Sequence, residues 1–152
     1  MASEQNRLCW LSVGAEEEKP KLRQALQHQY VNAALQHNNN ANLAYAEALH
    51  SYFSGSALAL NLPLEPKGTP WQQQVWQELQ QIPAGTSISY SELAQRCAKP
   101  QAVRAVASAC AKNPIALFIP CHRVVAKSGA LSGYRWGIEK KQWLLNWEQS
   151  AC

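Results

Sequence analysis

TPWQQQVWQELQQIPAGTSISYSELAQRCAKPQAVRAVASACAKNP, residues 69–114, decides how the chain is organised. Thr69 precedes Pro70 at a first helical position, and Trp71, Val75, Trp76 and Leu79 share one stripe, which predicts a helix stopped by Pro83 and Gly85. A short β-prone piece from Thr86 leads to a helix starting near Ser91, a break around Ala98 and Lys99, and a second helix from Pro100 to Lys112. Two short helices joined by a tight turn make a helix-turn-helix pattern, although the same pattern also suits two helices that are merely packed. In the second helix Ala102, Ala105, Ala107, Ala109, Ala111 and Ser108 leave little side-chain bulk, and Arg104 is its one strong cation before Lys112. Such a helix can approach a backbone or a groove closely.

Upstream, Leu8 to Val13 is a short apolar run, and EEEKPKLRQALQHQYVNAAL spaces Leu22, Leu26, Tyr30 and Ala33 as a helix does. HNNNAN breaks the pattern, and LAYAEALHSYFSG predicts a second helix with Leu43, Ala46, Leu49 and Phe53 on one face and Gly55 where a C-cap would sit. Leu58, Leu60, Leu62 and Leu64 alternate as in a half-buried strand that Pro63 marks as an edge or an end. Downstream, IALFIP reads as a buried strand and GIEKKQWLLNWEQ as a helix with Ile138, Trp143, Leu144 and Trp147 facing inward. Residues 1–68 hold five Lys/Arg against six Glu, net −1, and residues 69–152 hold nine against four, net +5. The boundary between two domains, 1–67 and 68–152, is placed at that change of sign.

A chain of 152 residues that is 47% hydrophobic can bury one good core or two small ones. Neither an apolar run of membrane-spanning length nor a signal-peptide pattern is present, so a cytoplasmic protein with no membrane partner is expected. Five cysteines without a C-x-x-C pair fit reduced thiols better than a disulfide framework or a four-cysteine zinc site, and no metal or cofactor is expected. The basic second half favours a phosphate-rich partner only if a motif accompanies it.

That motif lies in FIPCHRVVAKSGALSGYRWG, residues 118–137. A cysteine attacks as its thiolate, so a reactive one needs a histidine, a cation or a helix N-terminus beside it, and Cys121 is followed by His122 and Arg123. Sequence neighbours on a strand point apart, so the pair can cooperate only if the backbone turns near Pro120 or a water connects them. By itself Cys121 reads equally as a small buried hydrophobe at a strand end, and Glu148 as a solvated helix charge.

IPCHRVV resembles the active-site signature of the O6-alkylguanine-DNA alkyltransferases, most closely the bacterial adaptive-response type, and the resemblance runs over about residues 58–150 through the helix-turn-helix and SGYRWG. It implies an α+β fold: a shortened ribonuclease-H-like N-terminal domain, then a helical winged-helix or helix-turn-helix catalytic domain. It implies a DNA repair methyltransferase that moves a methyl or small alkyl group from guanine O6, and possibly thymine O4, to Cys121, once and irreversibly. By the same resemblance His122 accepts the thiol proton through a water and is oriented by Glu148, Tyr90 donates to the leaving base, and Asn113 bridges the helix-turn-helix to the active-site segment. Arg104 fills the gap left by a flipped nucleotide, with Ala102 and Ala105 in the small surface that enters the minor groove of alkylated double-stranded DNA. Tyr134, Arg135 and Val124 line the base pocket, where many relatives have a small hydroxyl residue at the Arg135 position, and Trp136 narrows it. A monomer is expected. A module that flips and flags the lesion without transfer is the alternative, and a Cys121/His122 hydrolase is a third reading that the adjacency of the two residues disfavours.

Overall fold

The computed structural model describes residues 1–152 apart from Asn39 and Ser132, so one residue of the HNNNAN break and the first of SGYRWG lie outside the described residues. Chain order is β1 (Ala2–Glu4), β2 (Arg7–Trp10), α1 (Lys19–Gln29), α2 (Leu43–Phe53), α3 (Pro70–Gln80), β3 (Ile88–Ser89), α4 (Tyr90–Arg96), α5 (Val103–Ala111), β4 (Val124–Val125) and α6 (Ile138–Ala151), with 3-10 turns at Glu16–Glu18 and Cys121–Arg123. Six helices and few strands make an α+β fold. β1 and β2 form an antiparallel hairpin through Gln5 and Asn6, both at positive φ, as a two-residue turn of matching twist requires. β3 and β4 pair in parallel, Ile88 opposite Val124.

α3 begins as the sequence predicts. Gln72 N–H donates to the Thr69 hydroxyl at 3.3 Å and the Gln72 side chain accepts from Thr69 N–H at 2.9 Å, a reciprocal cap with Pro70 at the first turn. Val75, Trp76 and Leu79 are buried, and the Trp76 indole donates to the Ala109 carbonyl at 2.9 Å, fixing α3 against α5. α5 starts at Val103, later than Pro100, because Lys99–Ala102 is closed as a turn by the Ala102 N–H to Lys99 carbonyl bond. One core cluster takes Leu8, Leu11, Tyr45 and Tyr52 together with Trp76, Leu93, Val106, Ile115, Ile119, Val124 and Leu144. Cys97 and Cys110 belong to it.

Four expectations need correction. α2 buries Tyr45 and Tyr52, while Leu43, Ala46 and Phe53 are exposed. The polar tips decide this: the Tyr45 hydroxyl donates to the Pro63 carbonyl at 2.6 Å and accepts from Leu8 N–H at 3.1 Å, and Tyr52 reaches Glu148. α1 stops before Ala33, which is exposed. Residues 58–64 alternate in burial as read, yet form a ladder contact only at Leu64 opposite Leu8, since Pro63 has no N–H to donate. α6 turns Lys141, Leu144 and Glu148 inward and leaves Ile138 and Trp143 exposed, Trp143 stacked on Trp147 at 5.9 Å.

Candidate active site

Asn113 follows α5 and is fully buried. Its Nδ2 donates to the Ile119 carbonyl at 2.8 Å and to Cys121 Sγ at 3.2 Å, and its Oδ1 accepts from Ile115 N–H at 2.9 Å. One side chain thus supplies bonds that a strand ladder would have supplied, and IALFIP, although wholly buried, is coiled rather than extended. Leu117 sits at φ +67 inside a three-residue turn closed by Phe118 N–H to the Ala116 carbonyl at 2.7 Å. Left-handed backbone is costly for leucine and persists where the surroundings over-determine it. Pro120, at φ −81 and ψ 60, centres a second such turn, with Cys121 N–H bonded to the Ile119 carbonyl at 2.8 Å. The 3-10 turn Cys121–Arg123 starts there, so the backbone turns at the cysteine instead of continuing as a strand.

His122 is fully buried and its Nε2 lies 2.9 Å from Glu148 Oε1. Glu148, equally buried on α6, also takes Arg123 Nη2 at 2.7 Å on Oε1, Arg123 Nε at 2.9 Å on Oε2, the Tyr52 hydroxyl at 2.6 Å on Oε1, and Gly85 N–H at 3.2 Å on Oε2. Burial alone would raise this carboxyl, but the bonds from His122, Arg123 and Tyr52 outweigh it and hold the group well below the usual carboxylate range. A permanent anion can only accept, so His122 carries its proton on Nε2 and presents Nδ1 as an acceptor. Nδ1 is buried and has no hydrogen-bond partner among the described residues. Burial pushes the His122 pKa below its ordinary value, against the pull of Glu148.

Burial likewise raises the Cys121 thiol to about 11, opposed by the Asn113 bond and by the charges of Lys141 and Arg135. Lys141 is fully buried with Nζ donating to the Val124 carbonyl at 2.6 Å, and its pKa is lowered by burial. The Tyr90 ring, half-buried at the start of α4, lies 5.8 Å from that Nζ. Tyr134 stands edge-on to His122 at 6.5 Å and to Trp136 at 5.2 Å. Arg135 donates from Nη1 to the Asn113 carbonyl at 3.0 Å and lies over Trp10 at 4.9 Å, which ties the SGYRWG loop to β2. The fold therefore brings Asn113, Cys121, His122, Val124, Tyr134, Arg135 and Glu148 into one connected set. Arg104 and Ala105 are exposed on α5 and Ala102 caps it, half-buried, so these three form a separate surface. A buried thiol beside an imidazole–carboxylate pair is the composition of an activated nucleophile.

Residues 70–150 match the family model described as "6-O-methylguanine DNA methyltransferase, DNA binding domain". The chain belongs to that family. It is 60% identical over 89 residues to the Escherichia coli "Bifunctional transcriptional activator/DNA repair enzyme Ada", a span of 59% of this chain and 25% of that protein. Against the constitutive methylated-DNA–protein-cysteine methyltransferase of Bacillus subtilis it is 47% identical over 116 residues, 75% of this chain and 70% of the relative. The crystal structure of Mycobacterium tuberculosis OGT in complex with DNA superposes with a TM-score of 0.70 at 42% identity, over 72% of this chain and 68% of that one. Among the described residues no helix is long and apolar enough to cross a membrane, and no group of three or more His, Cys, Asp or Glu could hold a metal ion.

Sequence reasoning missed Lys141, Tyr52 and the Gly85 N–H, and it noted Arg123 only as a neighbour of Cys121. A signal was present for Lys141: it lies three residues before Leu144 and seven before Glu148, the spacing of one helix face. Glu148→Ala leaves the Arg123 guanidinium buried without its counter-charge, and we expect a loss of about 3–5 kcal/mol in denaturant unfolding. A loss below about 1 kcal/mol would contradict the description of Glu148 as the acceptor that holds these segments together.

Proposed function

We propose that this chain is a direct-reversal DNA repair protein that transfers a methyl or small alkyl group from O6-alkylguanine in duplex DNA to Cys121, once per molecule. The observation that carries this reading is the His122 ring, bonded to Glu148 through Nε2 and offering a buried, unpartnered Nδ1 one residue from a thiol. With the thiol near 11, about one molecule in ten thousand holds a thiolate at pH 7, so deprotonation has to accompany the reaction. His122 Nδ1 takes the thiol proton through a water, and Glu148 stabilises the imidazolium without accepting the proton. The sulfur then forms a bond to the alkyl carbon as the carbon–O6 bond breaks, and guanine leaves with a proton or hydrogen bond from the Tyr90 hydroxyl. Asn113 holds Sγ in line while keeping the 115–120 turn folded. The product thioether is not hydrolysed, which limits each chain to one event.

A base inside a duplex is out of reach of a buried thiol, so the nucleotide is flipped out. α5, with Ala102 and Ala105 offering little bulk, enters the minor groove, and Arg104, exposed and flanked by small residues, occupies the vacated space. Tyr134 packs on the extruded base, while the backbone at Val124 and Arg135 meets its edge. Residues 68–152 form the DNA-binding and alkyl-transfer part, with a winged-helix arrangement around α4 and α5, and residues 1–67 a ribonuclease-H-like part. The protein acts as a cytoplasmic monomer, and thymine O4 adducts are a second substrate class. Buried Trp136, edge-on to Tyr134, narrows the pocket toward methyl and small alkyl groups.

Intact and peptide mass spectrometry after mixing with a duplex bearing one O6-methylguanine should give one added methylene on the Cys121 peptide, once per chain, and none in Cys121→Ala. Tight binding with no mass change would instead select the lesion-recognition module. Because burial keeps the His122 imidazole neutral below its ordinary range, the acid limb of the single-turnover rate should fall below about pH 6.5. A limb above that value would remove His122 from the proton path. Trp136→Gly should accelerate reaction with a benzylated guanine, and an unchanged rate would show that Trp136 does not set alkyl size.

A further inference from the structure

Side chains of three residues converge on a single oxygen of Glu148. Oε1 receives His122 Nε2 at 2.9 Å, Arg123 Nη2 at 2.7 Å and the Tyr52 hydroxyl at 2.6 Å. Two of them are neighbours of the thiol in the 3-10 turn. The third arrives from α2, in a part of the chain outside the family-matched span of residues 70–150. Tyr52 is completely buried, and its ring is held edge-on against Phe53 at 5.0 Å, so its hydroxyl has no solvent to turn to.

A carboxylate oxygen divides its electron density among the donors it accepts, and each additional bond makes it a weaker partner for the others. His122 and Tyr52 draw on the same oxygen. We propose that Tyr52 is a positioning residue that fixes the rotamer of Glu148 and sets how strongly the carboxylate pulls on the His122 proton, so that α2 takes part in tuning thiol activation. The inference rests on the reading of Cys121, His122 and Glu148 given above. Burial and the neighbouring carboxylate both hold the Tyr52 hydroxyl protonated, so it is a donor at every working pH. The groups facing this pair are Arg123 in the 3-10 turn, Lys141 on α6, Gly85 N–H after α3 and the Tyr134 ring.

A tyrosine that served only to fill the core would act on stability alone. A tyrosine that competes for Oε1 acts on the titration of His122, which can be followed by nuclear magnetic resonance of the imidazole nitrogens in the free protein, without any transfer taking place. Tyr52→Phe keeps the ring and removes the donor. Glu148 then bonds His122 more strongly, and the His122 midpoint should rise by about half a pH unit or more, consistent with the loss of one buried charge-assisted bond. Replacing Tyr52 with 3-fluorotyrosine keeps the hydroxyl, makes it a stronger donor, and should move the midpoint the opposite way; this variant decides the matter if the phenylalanine protein does not fold. Transfer from an O6-methylguanine duplex, measured in parallel at a pH above both midpoints, should be faster in Tyr52→Phe, whose His122 is the stronger base, with duplex affinity unchanged. A His122 midpoint that stays at the wild-type value in a folded variant overturns the proposal. Absence of Cys121 methylation in the wild-type protein would instead overturn the functional reading and leave the titration result standing by itself.

Discussion

A carboxylate shut away from water must be solvated by the protein, and Glu148 obtains that solvation from Tyr52 on α2, Gly85 after α3, and His122 and Arg123 in the 3-10 turn. Stripping a charge of water costs several kcal/mol unless its bonds are replaced, and here every donor comes from a segment distant in sequence. Meeting that requirement fixes the height of α6 against the core and the angle of the PCHR turn. It also settles the tautomer of His122. The electrostatics of the site and the packing of the fold therefore have one origin, which is why a stability measurement reports on chemistry here.

The thiol is governed by a different balance. Burial raises it, while Asn113, Lys141 and Arg135 oppose the rise without overcoming it. A nucleophile of this kind is quiet in the resting protein and becomes reactive only when its proton has a route out. Under the proposed single-event transfer, a resting thiolate would be open to side reactions before any substrate arrived. A high thiol pKa and a low imidazole pKa together keep the pair neutral in the free protein.

The helical framework from α3 to α5 was legible because its signals are local: the Thr69–Gln72 cap, the Trp76 stripe, and the break at Ala98, which adopts φ +56. The inner faces of α2 and α6 were not, because both are built on polar atoms. Tyr45 and Tyr52 are buried with bonded hydroxyls, and Lys141 and Glu148 with bonded charges, so a count of apolar spacing finds Leu144 but misses the polar residues that share its face and those of α2. The expected strand at 115–120 failed for a related reason, since the Asn113 amide satisfies that backbone by side-chain bonds that no periodicity encodes. Cys121 and His122 were visible as a pair, whereas Glu148 entered only through the family resemblance. Its partnership with Tyr52 spans 96 residues and leaves no mark in either local sequence.

That long span bears on how the molecule comes into being. Contacts between distant residues must await closure of a large loop, and they form late compared with helices and tight turns. The PCHR turn, bracketed by Asn113 eight residues earlier, can take shape on its own schedule, but the carboxylate that orients His122 arrives only when α6 docks beneath α2. Until then the cysteine sits in a chain that cannot activate it. Completion of the His122–Glu148 pair is thereby coupled to completion of folding, because the turn and the carboxylate meet only in the docked molecule.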